Sequence, residues 1–380
     1  MSILTKRLKL FAKLLRLMEI SVFKIYFKLF MINLEMHAKK WKQSLEKLTK
    51  KRLWGSDLIL TDSINTDKLT SYDINAEKEI NDPLVRVFVT TYNNVKFTRH
   101  NLNGILKQKT NFPFEIYIYD DCSTDGTSDI IREYAQKHPN IIADIQSENY
   151  YSKDKQMQCK KILSNMKNHN CKYVAIADGD DYWIDQYKLQ IQIDFLENNI
   201  DFNMCSGGYL TNNDFNGKQQ LNLINTKKTI GFEYQFQTFI PPFNSKKNTG
   251  LFVKNFTSVY RASIIQEYEI VQKYKFWRDV HNWYYSLKEG KGYYFSRIFG
   301  VYNIHSGGIY GGLSLEQKTE IDFEVYKELY RETKDKFVKR LFITFACKFI
   351  IKCLKTKEQR IDFYNSFSKI IKEAKETNNA

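Results

Sequence analysis

Four short runs of β-branched and aromatic residues, each closed by a polar turn and followed by other structure, constrain this chain more than any other feature. Val85–Thr90 (VRVFVT) ends in Tyr92-Asn93-Asn94 and leads into a helical stretch near 96–108. Phe114–Tyr119 (FEIYIY) ends in an Asp120–Thr127 turn whose Asp, Ser and Thr residues are good N-caps for a helix through about 137. Ile141–Ile145 and Tyr173–Ala177 (YVAIA) are the third and fourth runs, with a helix over roughly 154–168 between them. Strands and helices alternating at this spacing predict βαβ units, hence an α/β fold with a mostly parallel central sheet flanked by helices.

The pattern continues beyond the fourth strand. A helix places Leu189, Ile193 and Leu196 on one side, and another strand is expected near 202–209. Residues 211–250 are polar, contain Pro241-Pro242, and read as a long loop over a site. A strand (256–260), a helix (about 278–288) and a strand (293–302) complete the unit, and the chain is helical and basic from about 315. Six cysteines without a CxxC pair argue against a zinc module or disulfide framework and read as free thiols.

The formal charge of +15 is unevenly spread. Residues 1–52 hold 14 Lys/Arg against 3 Glu, and 331–380 hold 13 against 6 acids, whereas 53–330 carries 31 basic and 34 acidic residues. A nucleic-acid enzyme concentrates positive charge where its substrate lies, so this acidic centre argues against nucleic acid. Lys6, Lys9, Lys13, Arg16, Lys24 and Lys28 share one helical face opposite a Leu/Phe face, the composition of a helix lying in an anionic membrane interface or docking on the protein. Residues 1–52 thus form a basic helical region, 53–83 a polar linker, and 314–380 a basic helical end. Within that end, 341–354 (LFITFACKFIIKCL) is interrupted by Lys348 and Lys352, too polar to span a bilayer but suited to lie on one. No uncharged apolar run is long enough for a membrane span or a secretory signal, so a cytoplasmic protein, peripheral at the inner face of the cell membrane, is expected.

In open α/β sheets, ligands sit at the carboxyl ends of the strands. Three strand ends here are polar: Thr90/Tyr92, Asp120/Asp121 and Asp178/Asp180/Asp181. No GxGxxG or GxxxxGK[ST] loop accompanies them. Carboxylates converging on one cleft repel each other unless a cation intervenes. Mg²⁺ or Mn²⁺ bridges such groups to a diphosphate, so the cleft suits a nucleotide diphosphate. Asp125 and Asp185 instead read as helix caps, and His281 as structural.

The segments VTTYNN, YDDCSTDGTSDIIREYA, KYVAIADGDDYW and KLQIQIDFLE resemble the inverting glycosyltransferase family 2, which has a GT-A fold. FTSVYR (256–261), FWRDVHNWYYSLKEGKGYY (276–294) and VYNIHSGGIYGG (301–312) resemble its subgroup that builds bacterial surface polysaccharides and lipooligosaccharides. The resemblance covers roughly 84–313 and implies a metal-dependent transfer of a sugar from a nucleotide-sugar, UDP-linked, to a glycan or lipid-linked acceptor. It implies that Thr90 and Tyr92 flank the nucleobase, that Asp121 hydrogen-bonds it with Asp120 in support, and that Asp178 and Asp180 form a DxD motif. Asp178 then lies near the ribose and metal, Asp180 on the metal (Mn²⁺ or Mg²⁺), and His305 on the diphosphate or metal. Asp279 takes the catalytic-base position, preceded by Arg278 where the subgroup usually has an acid or glycine. A non-catalytic nucleotide-sugar-binding or membrane-tethering protein is the alternative expectation.

Overall fold

The computed structural model describes 82–167, 169–214, 218–222, 231–239, 253–266, 274–275, 277–308, 312–354 and parts of 356–370. The chain divides into two units; the first, Met1–Tyr72 with Pro242–Asn244, falls outside these residues. So does the helical region expected over 1–52, and all but the last two residues of the expected linker.

In the second unit the expected alternation is present. β1 (Val85–Thr91), β2 (Phe114–Asp120), β3 (Ile141–Ile145) and β4 (Tyr173–Asp178) are joined through α1 (Val95–Leu106), α2 (Thr127–Lys137), the single turn α3 (Tyr150–Lys153) and α4 (Lys155–Lys167). β1 pairs in parallel with β2 and β4, and β2 with β3. Val85, Val87 and Val89 of β1 are buried with Phe88, as a strand covered by helices on both faces requires. Leu102 and Ile105 of α1 and Ile130 and Ile131 of α2 pack into the same core.

Beyond β4 the sheet becomes mixed. β5 (Tyr182–Trp183), α5 (Lys188–Asn198), β6 (Phe202–Asn213), β7 (Lys218–Asn222), β8 (Gly231–Tyr234), β9 (Val259–Arg261), α6 (Ala262–Gln266), α7 (Asp279–Leu287) and β10 (Lys291–Ile304) follow. The order along the sheet is β3-β2-β1-β4-β9-β6-β10-β5, with β7 on β6 and β8 on β10. β9 runs antiparallel to both β4 and β6, while β6 and β10 are parallel. The mostly parallel expectation therefore holds for the first four strands and gives way to mixed pairing after them. The long loop expected over 211–250 is corrected in part: β6 runs on to Asn213, and β7 and β8 return along the sheet. The β7 sequence, KQQLN, offers little hydrophobic alternation to read.

At the C-terminal end, α8 (Leu315–Thr333) and α9 (Lys336–Lys352) form a hairpin. Ser314 Oγ accepts from Gln317 N and Gln317 Oε1 accepts from Ser314 N, a capping box at the start of α8. Leu341, Phe342 and Ala346 of α9 are buried, and Phe345 stacks on Tyr326 at 4.3 Å. Leu341, Phe342 and Phe345 of the 341–354 stretch thus pack against the protein. Among the described residues no helix is long and apolar enough to cross a membrane.

Candidate active site

The carboxyl ends of β1, β2 and β4 lie side by side, with Thr91 opposite Asp120 and Thr90 opposite Asp178. The turns after β1 and β2 are bonded to each other. Asn93 N donates to Ser123 Oγ, Thr124 N to Asn93 Oδ1, and Asn94 N to Thr127 Oγ1. Asp125 accepts from Val95 N and Thr127 N, so one carboxylate caps the starts of α1 and α2, as expected. Gly126, with φ of 101°, supplies the left-handed step into α2.

These turns decide what the first group of residues does. Asp120 is fully buried and accepts from the hydroxyls of Ser123 and Ser128, holding the turn closed. Asp121 is 1% exposed and accepts from Tyr119 OH, Tyr150 N, Tyr151 N and Gln158 Nε2. Asp121 thereby ties the 150–158 segment to the end of β2. Thr90 is half-buried and its carbonyl accepts from Gly179 N, while the Tyr92 ring is 44% exposed.

The second group clusters beyond β4. The Asp178–Asp181 turn is clamped from two sides. Asn101 Nδ2 of α1 donates to the carbonyls of Asp178 and Asp181 at 2.9 and 2.8 Å. From β10, Asn303 N donates to Asp181 Oδ1 at 2.8 Å and Asn303 Nδ2 to the Asp180 carbonyl at 2.7 Å. His305 Nε2 lies 3.2 Å from Asp180 Oδ2, with its ring against Phe97 at 4.6 Å. Asp279, the first residue of α7, accepts from Asn255 Nδ2 at 2.9 Å. Asp178, Asp180, Asp279 and His305 are therefore gathered together, across some 125 residues of chain.

Electrostatics explains why the cluster is unusual. Burial, with the neighbouring charges of Asp279 and Asp180, pushes the Asp178 carboxyl well above the ordinary carboxylate range. Burial, Asp180 and Asp178 do the same to Asp181, whose Oδ2 is buried without a hydrogen-bond partner. Burial also raises Asp279, offset first by the charge of Lys254 and then by Arg278. Lys254, whose ammonium lies 4.3 Å from the centre of the Tyr302 ring, is thus the cation common to all three acids.

A divalent cation fits this donor set in one respect. Among the described residues no group of three or more His, Cys, Asp and Glu converges as a closed metal site. Asp180 and His305 are adjacent, however, and the orphaned Asp181 oxygen marks a site short of positive charge. Two protein ligands completed by phosphate oxygens is the usual manner of holding Mg²⁺ or Mn²⁺.

Residues 86–268 match the family model described as Glycosyl transferase family 2. This segment is a family 2 glycosyltransferase domain. The match takes in the turns after β1, β2 and β4 and stops before Asp279 and His305. An uncharacterized Mycobacterium tuberculosis protein is 35% identical over 115 residues, 30% of this chain and 32% of its own. A putative teichuronic acid biosynthesis glycosyltransferase of Bacillus subtilis is 32% identical over 114 residues, 30% of this chain and 42% of its own. The chain thus spans about a third of the length of the first of these relatives. Among solved structures, S. aureus TarS 1-349 in complex with UDP-GlcNAc superimposes with a TM-score of 0.51 at 19% identity, over 75% of this chain and 81% of that one. That likeness establishes a GT-A fold.

Sequence reading missed Asn101, Lys254, Asn255, Tyr302 and Asn303. Tyr302 and Asn303 lie within the VYNIHSGG segment without being singled out there, and each of the five acquires its role through a contact with another segment. His281 is structural as expected: it is buried, and its Nδ1 accepts from Arg278 N at the start of α7.

Proposed function

We propose that this domain is an inverting glycosyltransferase that moves a sugar from a nucleotide-sugar, UDP-linked, to a glycan or lipid-linked acceptor of a bacterial surface polysaccharide. The observation that carries the reading is the gathering of Asp178 and Asp180, at the carboxyl end of β4 in the family 2 segment, with His305 and Asp279 from the chain beyond it. The nucleobase sits against the exposed Tyr92 ring, beside Thr90, on a floor that Asp120 and Asp121 hold rigid. Asp178 meets the ribose. Asp180 and His305, with Asp178 nearby, are the groups that would hold a divalent cation, which when bound neutralises charge on the diphosphate.

The remaining work belongs to the chain. The acceptor hydroxyl forms its bond to the anomeric carbon on the face opposite the nucleotide, and the bond from that carbon to the diphosphate oxygen breaks. Asp279 takes the hydroxyl proton, and the nucleoside diphosphate leaves with the bonding electron pair. Lys254 offsets the charge of the acids and draws the anionic donor toward them. The basic 1–52 region attaches the protein to an anionic membrane surface, where such acceptors are made.

Donor cleavage tests the reading without knowledge of the acceptor. UDP-, GDP- and CMP-sugars are incubated with the full chain and Mn²⁺, Mg²⁺ or EDTA, and nucleotide release is measured. Metal-dependent release of UDP from one donor, lost in Asp180→Ala, is the expected result. UDP binding without release from any donor favours a non-catalytic binding or tethering protein, and no nucleotide binding sinks the assignment.

A further inference from the structure

Asp279 stands at the first position of α7, where its backbone is set by the helix but its carboxylate is free to rotate about two bonds. Among the described residues one side chain hydrogen-bonds that carboxylate: Asn255 Nδ2 donates to Oδ1 at 2.9 Å. The other end of the same amide is also engaged, since Tyr260 OH donates to Asn255 Oδ1 at 2.6 Å. A carboxylate only accepts, so chemistry assigns the amide orientation: nitrogen toward Asp279, oxygen toward Tyr260. Asn255 is 6% exposed and Tyr260 is fully buried, so neither is a surface contact that water replaces at no cost.

The turn that carries Asn255 is itself anchored. Asn255 O accepts from Ser258 N at 2.7 Å. Phe256 O accepts from Trp183 Nε1 at 2.6 Å, and Thr257 O from Gln192 Nε2 at 2.9 Å. Trp183 closes the segment that begins with Asp178, and Gln192 lies on the helix that follows it. The turn holding Asp279 is thereby built onto the segment that carries the acidic motif.

We propose that Asn255, oriented by Tyr260, is a positioning residue for the transfer reaction. It holds one oxygen of Asp279 so that the carboxylate meets the acceptor hydroxyl in a single orientation. The inference rests on the reading of Asp279 as the base. Misplacing a catalytic group by about 1 Å costs on the order of 100-fold, so Asn255→Ala lowers donor turnover by roughly 10- to 100-fold with the KM for donor little changed. Tyr260→Phe, which keeps the ring and loses only the hydroxyl, has a smaller effect of the same kind.

The test uses the full chain and three readouts. UDP affinity by calorimetry stays within about twofold of wild type in both variants, as a collapsed site would not allow. In turnover of the donor cleaved fastest in the panel above, Asn255→Ala combined with Asp279→Asn loses no more than Asp279→Asn alone, because Asn255 acts only through Asp279. A crystal structure of Asn255→Ala has Asp279 in a rotated or divided conformation. An Asp279 that keeps its orientation in that crystal structure overturns the proposal, whether or not a donor has been found. Full turnover in Asp279→Asn overturns the base reading instead. Loss in Asp279→Asn with wild-type turnover in Asn255→Ala overturns this inference alone.

Discussion

Buried ionisable side chains give the sharpest expectations at the scale of single residues. Asp279 is raised above the ordinary aspartate range by burial, so it holds its proton to higher pH than a solvated aspartate, for which about 3.9 is usual. A general base works ionised. Donor turnover is therefore expected to rise along an acid limb displaced above that value, and Asp279→Asn to lose about 100-fold or more, the worth of a positioned base. A pH–rate profile checks both. Lys188 offers a case away from the chemistry. It is fully buried, its ammonium lies 4.0 Å from the Trp183 ring centre, and burial lowers it to about 7. The folded chain sheds this proton before the unfolded chain does. Its contribution to stability is therefore lost as pH falls toward 7 and regained toward about 10.4, where the unfolded side chain titrates. Urea unfolding at several pH values is expected to find Lys188→Met more stable than wild type at pH 7, with the advantage shrinking by pH 10.

The tight approach of elements around the β4 turn sets the next expectation. Gly179 follows Asp178, and a Cβ there would lie 2.6 Å from Thr91 Cβ and 2.7 Å from the Thr90 carbonyl oxygen. That space is closed by the β1–β4 pairing itself, which places Thr90 opposite Asp178. Gly179→Ala must part the two strand ends, costing about 1–3 kcal/mol as overpacking does. Thermal unfolding is expected to occur at lower temperature, and calorimetry to find UDP binding weakened, because the displaced atoms carry both Thr90 and Asp178. The acidic turn was legible in the sequence for another reason: three acids in four residues after a buried strand repel each other unless a cation intervenes. The residues that hold this turn, Asn101 and Asn303, were not legible, since they reach it from 77 residues before and 123 residues after.

Across the whole molecule, charge separates the ends from the centre. Residues 1–52 hold 14 Lys/Arg against 3 Glu, while the centre is slightly acidic. Each Lys or Arg near an anionic surface contributes about 1 kcal/mol, screened by salt. Sedimentation with anionic liposomes is expected at low salt, to weaken at about 0.5 M salt, and to fail for a chain lacking 1–52. The C-terminal hairpin contributes differently. Glu328 of α8 accepts from Lys275 N, so this hairpin braces the approach to Asp279. The apolar face of α9 had the composition of a surface-lying helix, yet Phe342 is fully buried and stacks with Tyr330. Composition alone does not distinguish a lipid from a protein partner for such a face, because both remove the same apolar area from water.

Local patterning was enough for the first half of this fold. Strand-to-helix alternation over 85–178, caps such as Asp125 and the acidic turn at Asp178–Asp181 are properties of short segments, whose periodicity and turn chemistry act within a few residues. Motif resemblance carried the family and singled out Asp178, Asp180, His305 and Asp279. Tertiary structure alone decided the rest: that β9 runs antiparallel between β4 and β6, that Asp121 accepts from the 150–158 segment, and that Lys254 and Asn255 stand beside the acids. Each of these depends on which distant backbone comes to lie against which. That choice is made by burial and hydrogen-bond satisfaction over the whole sheet, and no local pattern encodes it.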